Sequence, residues 1–437
     1  MRFKTLSLPA RRDPADTRTE TPMMKLLHTS DWHLGRTLYG RKRYGESEAF
    51  LDWLADLMER EGVDVLLVAG DVFDNAAPGT RAQELYYRFL CRAAASPNRH
   101  VVVTAGNHDS PSFLNAPREI LKFLNIHVVG TASGPPADEV VVLRAPDGEP
   151  LLIVCAVPYL RDRDIRTAEA GETVADKERK IVEGIRAHYH LVYEEARRVR
   201  SLLGKAVPIA AMGHLFAAGG RTVEGDGVRD LYIGTLLQVG ADVFPEWIDY
   251  LALGHLHVPQ TVGGSDVVRY SGSPLPIGFG EAAQEKSVVL AEFAGGAPAV
   301  RRIPVPRFQE LKVLAGDWPD IAREIAALRS AGSRAWLEIV YEGDEVAGDL
   351  TRRLDEAVAG SGIEILRVRN NRVMERALGA SPEGETLDDL EVTEVFRRCL
   401  DAHEVPEERR PALLEAYGEI LTAIFEADPL AEREGGP

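Results

Sequence analysis

Cysteine is scarce in this chain: three in 437 residues, Cys91, Cys155 and Cys399, far apart and in no CxxC spacing. That excludes a disulfide-stapled scaffold and a cysteine zinc site. It leads us to expect reduced thiols, packed as small hydrophobes in a cytoplasmic protein. Long apolar runs are missing as well. No stretch of about 18 residues is apolar enough to cross a bilayer, so no membrane association is expected. A surplus of positive charge is lacking too: 51 Lys and Arg stand against 68 Asp and Glu, a formal net charge of -17. Polyanion binding runs on local positive charge, so this balance argues against a general nucleic-acid coat. A local basic patch or contact through metals would remain. What is present, 45% hydrophobic and 27% charged residues, suits a globular chain of two or three domains.

The first 23 residues are polar, carry Arg2, Lys4, Arg11, Arg12 and Arg18, and lack the apolar segment of a secretory signal. They read as a disordered extension, with Met23 or Met24 as a natural start. Short apolar runs at Lys25–Thr29, Val63–Ala69 and Val101–Thr104 read as strands. Between them, Phe50, Leu51, Leu54 and Leu57 mark one helical face and Leu85, Tyr86, Phe89 and Leu90 another. Such alternation predicts a parallel sheet with helices on its face. Further strands are expected at Leu151–Val157, Val207–Met212, Tyr250–Leu253, Lys286–Phe293 and Val300–Val305, and a long, charged, exposed helix over Glu172–Leu203. From 307 to 375 strand and helix patterns alternate again as a small α+β unit. A polar linker covers 376–390, and two amphipathic helices cover 391–437, one with Val392, Phe396 and Leu400, one with Leu413, Tyr417, Leu421 and Phe425.

Five short strings place metal-ligand residues just after predicted strands: Asp31-Trp32-His33, Gly70-Asp71-Val72-Phe73-Asp74, Gly106-Asn107-His108-Asp109, Gly213-His214 and Gly254-His255-Leu256-His257. In open α/β sheets, ligands gather outside the carboxyl ends of strands, so five such loops can converge on one site. Carboxylate, imidazole and amide oxygen together favour manganese, iron or zinc over magnesium alone. Two cations about 3.5–4 Å apart clamp a phosphate and activate a water. Each string alone is weak; the ordered set is not.

The ordered set resembles the calcineurin-like metallophosphoesterase superfamily over roughly residues 25 to 280. The resemblance implies a catalytic domain over 24–306, built as a mixed β-sandwich flanked by helices, an α/β fold. It implies that Asp31, His33, Asp71 and His257 hold one metal and that Asp71, Asn107, His214 and His255 hold the other, with Asp71 bridging. His108 would touch the scissile phosphate or protonate the leaving oxygen, a role suited to a pKa near operating pH; Asp109 would orient it. A plain hydrogen-bonding role for His108 is the alternative. Local strings narrow the family. Thr29-Ser30-Asp31-Trp32-His33-Leu34-Gly35, Gly106-Asn107-His108-Asp109-Ser110-Pro111, Gly254-His255-Leu256-His257-Val258-Pro259-Gln260 and Tyr270-Ser271-Gly272-Ser273-Pro274 are similar to the SbcD family. Asn75 after Asp74, and Asp109 in the third string, depart from the protein phosphatase pattern GDxVDRG and GNHE. Asp74 stands where archaeal and eukaryotic relatives carry a histidine, which fits the bacterial branch; it either assists His108 or caps the next helix.

That family resemblance implies two divalent ions, manganese first, and exonuclease and hairpin-opening activity on double-stranded DNA ends. It implies a homodimer within a heterotetramer with an SbcC-type ATPase, in a cytoplasmic, nucleoid-associated setting. Residues 307–375 are similar to the family's capping domain. Arg36, Arg41, Lys42 and Arg43 would either meet backbone phosphates or form a solvated charged loop. The terminal helices would either dock on the ATPase or pack on this chain's own body. Two rival readings stand beside this one: a small-molecule phosphodiesterase or nucleotidase of the same superfamily, and a catalytically silent DNA-end scaffold.

Overall fold

Strands buried on both faces read as continuous apolar runs, and the chain sets its most apolar runs at the centre of two sheets. The structure, a computed structural model, describes residues 24–132, 134–166, 172–217, 239–240, 243–343 and 347–370, and scattered positions between 396 and 417. The expected extension (1–23), the linker (376–390) and most of the terminal helices (391–437) lie outside the described residues. Two compact units divide the chain, Met1–Phe308 and Gln309–Pro437.

In the first unit, β1 (Met24–Thr29), β2 (Thr37–Leu38) and β3 (Arg41–Lys42) precede α1 (Tyr44–Glu61), β4 (Val65–Ala69), α2 (Thr80–Ala93) and β5 (His100–Thr104). Short helices α3 (Pro111–Asn115) and α4 (Arg118–Lys122) lead to β6 (Ile126–Val129), β7 (Val140–Arg144) and β8 (Pro150–Ala156). After α5 (Asp162–Ile165) and α6 (Val174–Leu203) come β9 (Ile209–His214), β10 (Tyr250–Gly254), β11 (Gln260–Val262), β12 (Ser265–Tyr270), β13 (Ser287–Phe293) and β14 (Ala299–Pro304). One six-stranded sheet runs β14-β13-β1-β4-β5-β6 and the other β11-β12-β10-β9-β8-β7. Strands β1, β4, β5 and β6 are parallel, as are β8, β9, β10 and β12. Antiparallel β13 and β14 complete the first sheet, and β7 and β11 edge the second.

Leu26, Leu67, Val102, Val154, Met212 and Val289 share the core that contains side chains of both sheets. Helices α1 and α2 pack on the first sheet through Phe50, Leu54, Leu57, Leu85 and Phe89. The mixed sandwich flanked by helices expected from the sequence is therefore present. One expectation needs correcting: α6 is not simply exposed. Tyr189, Val192, Tyr193 and Ala196 are at most 2% exposed and pack with Ile153, Ala211 and Leu251 of the second sheet. The charges that suggested exposure sit on its other face and pair along the helix, Arg179 with Glu183 and Arg197 with Glu194.

The second unit holds β15 (Leu311–Gly316), α7 (Trp318–Ser330), β16 (Trp336–Tyr341), α8 (Ala347–Val358) and β17 (Glu364–Asn370). Its three strands are parallel in the order β15-β16-β17. Asp317 caps α7 by accepting from the Asp320 N–H. Ile321, Ile325, Leu350 and Leu354 of the two helices pack with Leu337 and Ile339 of β16. Phe396 and Tyr417, one from each expected terminal helix, stack with ring centroids 3.9 Å apart.

Candidate metal centre

Each residue of the predicted constellation follows the end of a buried strand, and the loops are tied to one another. The backbone N–H of Asp31 donates to the Gly70 carbonyl at 3.0 Å, and that of His33 to the Asp71 carbonyl at 3.0 Å. Asp31 (φ 54°), His33 (φ 45°), Asp71 (φ 48°) and His255 (φ 98°) all sit in the left-handed region that side chains usually avoid. Strain of this kind persists only where the surroundings dictate it, and it gathers at functional sites. Two glycines make room. A methyl group on Gly70 would strike the His214 ring, and one on Gly106 would strike the Asp71 carboxylate.

Asp71 stands at the centre. Its Oδ2 lies 3.3 Å from His214 Nε2, 3.8 Å from His33 Nε2 and 4.0 Å from His108 Nε2. Asn107 Oδ1 lies 3.0 Å from His214 Nε2 and 3.1 Å from His255 Nδ1. His33 Nε2 and His257 Nε2 are 3.3 Å apart, and with Asp31 they form one tight group of potential ligand atoms; Asp31, Asp71 and His214 form another. All but Asn107 and His108 are buried. The sequence thus named the residues that meet here, and none is elsewhere.

The rings are held from behind. His214 Nδ1 donates to the Ala69 carbonyl at 3.0 Å. His33 Nδ1 faces Asp74 Oδ1 at 3.4 Å, and His257 Nδ1 faces Glu281 Oε1 at 3.3 Å. An acceptor at Nδ1 fixes the proton there and leaves the Nε2 lone pair aimed inward. The inward lone pairs of His33 and His257 then face each other at 3.3 Å. That arrangement repels unless a cation or a proton lies between, and it fits a metal. Burial would lower the pKa of His214, yet the Asp71 carboxylate raises it to about 9. Burial would raise that of Asp71, yet His214, His33 and His108 hold it well below the carboxylate range. Burial and then the charge of His214 push His255 down to about 3. A cluster this rich in buried carboxylate charge is one that divalent cations complete.

Two expectations change. Asp109 does not hold the His108 ring; its carboxylate accepts from the backbone N–H groups of Val72, Phe73 and Gly106 at 3.1, 2.9 and 2.8 Å, tying two ligand loops together. His108 Nδ1 donates instead to the Asp74 carbonyl at 2.8 Å, while the Asp74 side chain faces His33 and pairs with Arg36 at 3.0 Å. Of the four basic residues after the first string, Arg36 is thus engaged, and Arg43 is buried against Glu46 at 2.7 Å; Arg41 and Lys42 are exposed. The sequence reading missed Glu281 and Lys286. Lys286 Nζ donates to Glu281 Oε2 at 2.5 Å, Ser273 Oγ at 3.0 Å and the His257 carbonyl at 3.1 Å. Against burial, Lys286 and His257 hold Glu281 at about 2. Ser273 belongs to a string the sequence did flag; Glu281 carried no signal beyond its charge.

Residues 24–259 match the family model described as calcineurin-like phosphoesterase, and residues 307–404 match the type 5 capsule protein repressor C-terminal domain, SbcD_C. The chain is similar to the SbcD subunit of the SbcCD nuclease of Escherichia coli K12, at 39% identity over 92% of this chain and 98% of that one. It is also similar to the proteins of the same name from Rhodobacter capsulatus, at 37% identity over 77% of this chain and 84% of that one, and from Bacillus subtilis, at 36% over 63% and 68%. The buried His/Asp cluster and the phosphoesterase match together make this a divalent-metal site. By its ligand loops, its sandwich and its two matched domains, the chain belongs to the calcineurin-like phosphoesterases and, within them, to the SbcD family of nuclease subunits.

Proposed function

We propose that the chain is a two-metal DNA nuclease, cutting double-stranded ends and hairpins as the partner of an SbcC-type ATPase. One observation carries the hydrolase reading: a single buried carboxylate oxygen, Asp71 Oδ2, is ringed by imidazoles from three separate loops. In this reading Asp31, His33, Asp71 and His257 hold one cation, and Asp71, Asn107, His214 and His255 the other, with manganese the proposed ion. When bound, the two cations supply Lewis-acid charge to the phosphate and a nucleophilic water near neutral pH. Asp71 offsets their mutual repulsion. Asn107 contributes its amide oxygen without adding charge. His108, whose side chain is 19% exposed, keeps its Nδ1 proton on the Asp74 carbonyl. Its Nε2 therefore faces the open side, where it contacts the phosphate and hands a proton to the leaving oxygen when protonated.

The DNA substrate and the ATPase partner are carried over from relatives matched along almost their whole length. That length includes the C-terminal domain, which a small-molecule phosphodiesterase would not need, and this favours the nuclease over that rival. A second copy of the chain is proposed as a further partner. Ile120 and Phe123, at 72% and 89% exposure, and Leu124 form an apolar patch around α4 that another copy would cover.

The test is co-purification with the ATPase and cutting of a DNA hairpin with manganese. Asp71→Asn should lower cutting by at least a thousandfold while partner binding persists. Repair function surviving in that variant would favour the silent scaffold instead.

A further inference from the structure

Beside the metal centre, and on the His214 and His255 side of it only, the first unit has a cavity of about 70 Å³. Its walls are apolar: Ile181, Ile185 and Tyr189 from α6, Tyr159 after β8, and Leu215 and Phe216 after β9. At roughly 10–15 Å³ per water it has room for a handful of waters, or for one flat ring. The ring of Tyr159 meets His214 edge-on, with centroids 6.2 Å apart. The one carboxylate at the edge, Asp162, is paired with Arg166 at 3.2 Å and Lys177 at 3.4 Å. An uncharged ring entering the cavity therefore meets no free charge.

We propose that this cavity takes the nucleobase next to the phosphate being cut. The inference rests on the nuclease reading and deepens it. A base lies one sugar away from its phosphate, and His214 and His255 are shared between the phosphate site and the cavity wall. A phosphate held at the metals thus delivers an adjoining base to the cavity mouth. Aromatic and aliphatic walls accept any base by stacking and packing rather than by reading its edge. The pocket favours an unpaired or frayed nucleotide, since a paired base cannot leave its stack without cost. It also gives the enzyme a means to tell a nucleoside phosphodiester from a plain alkyl one.

The experiment uses the full chain with manganese and two DNA substrates, one normal and one with an abasic sugar at the nucleotide adjoining the cut. The unaltered chain should cut the normal DNA with a KM lower by roughly tenfold to a hundredfold, the range of aromatic–base stacking. Ile185→Trp, which fills the cavity, should raise KM for normal DNA to the abasic value and leave the abasic substrate and both kcat values unchanged. Tyr159→Ala, at a partly exposed position less prone to misfolding, should do the same in part, with Tyr159→Phe restoring the preference. Equal loss on both substrates, or a wild type indifferent to the missing base, would overturn the proposal. Failure of the unaltered chain to cut either DNA would remove the nuclease reading and this proposal together.

Discussion

The imidazole of His257 shows how a ligand is prepared by residues that never touch the metal. Glu281 sits behind it, Lys286 neutralises Glu281, and both are almost wholly buried. Replacing Glu281 by Gln frees the His257 tautomer and leaves the Lys286 ammonium without its counter-charge. Partners of this kind contribute about 10–100-fold to metal affinity, and breaking a buried ion pair costs about 3–5 kcal/mol. Manganese titration and urea unfolding of Glu281→Gln should show both losses; unchanged metal affinity would mean Glu281 does not position the ring. The ligands themselves were legible in the sequence because each stands in a short string after an apolar run. Glu281 was not legible: it reaches His257 from a distant loop, and nothing local distinguishes it from a surface glutamate. The role expected of Asp109 failed for a related reason. Adjacency in sequence suggested a partner for His108, whereas the buried carboxylate turns to three backbone donors.

At the scale of elements, strands buried on both faces were read almost to their ends, because uninterrupted apolar runs leave little choice. Val65–Ala69 and His100–Thr104 are wholly buried. Strands β7 and β12, only partly buried, escaped notice: their alternation is imperfect and each follows a turn. The two sheets are joined by more than apolar packing. His28 of β1 meets the Tyr250 hydroxyl of β10 at 3.0 Å, in full burial. Burial lowers the pKa of His28 to about 3 from an ordinary 6.5. The folded chain therefore refuses a proton that the unfolded chain accepts. Stability from this residue is complete above about pH 6.5, falls as pH drops, and levels off below about 3. His28→Gln should make the stability–pH slope in that window shallower by about 1.4 kcal/mol per pH unit, seen by urea unfolding in metal-free buffer. An unchanged slope would show that His28 is already protonated in the fold.

For the whole molecule, the net charge of -17 leaves the metals and a few exposed cations such as Arg41 and Lys42 to meet a polyanion. Sequence periodicity could not reveal which apolar side chains stay outside, since α4 is too short to show a face. If Ile120 and Phe123 are covered by a second copy, Phe123→Glu should turn the dimer into a monomer in sedimentation at micromolar concentration, with metal binding intact. A wild-type monomer, or a mutant that stays dimeric, would reject that interface. The four left-handed positions around the site carry a longer-term consequence. Each costs roughly 1 kcal/mol or more, and together they rival the few kcal/mol by which a domain stays folded. Replacing Asp31 or His33 by glycine would end the chemistry and relax the backbone at once. In this architecture retirement from catalysis is downhill, so a copy freed from its task would drift toward a sturdier, inert descendant.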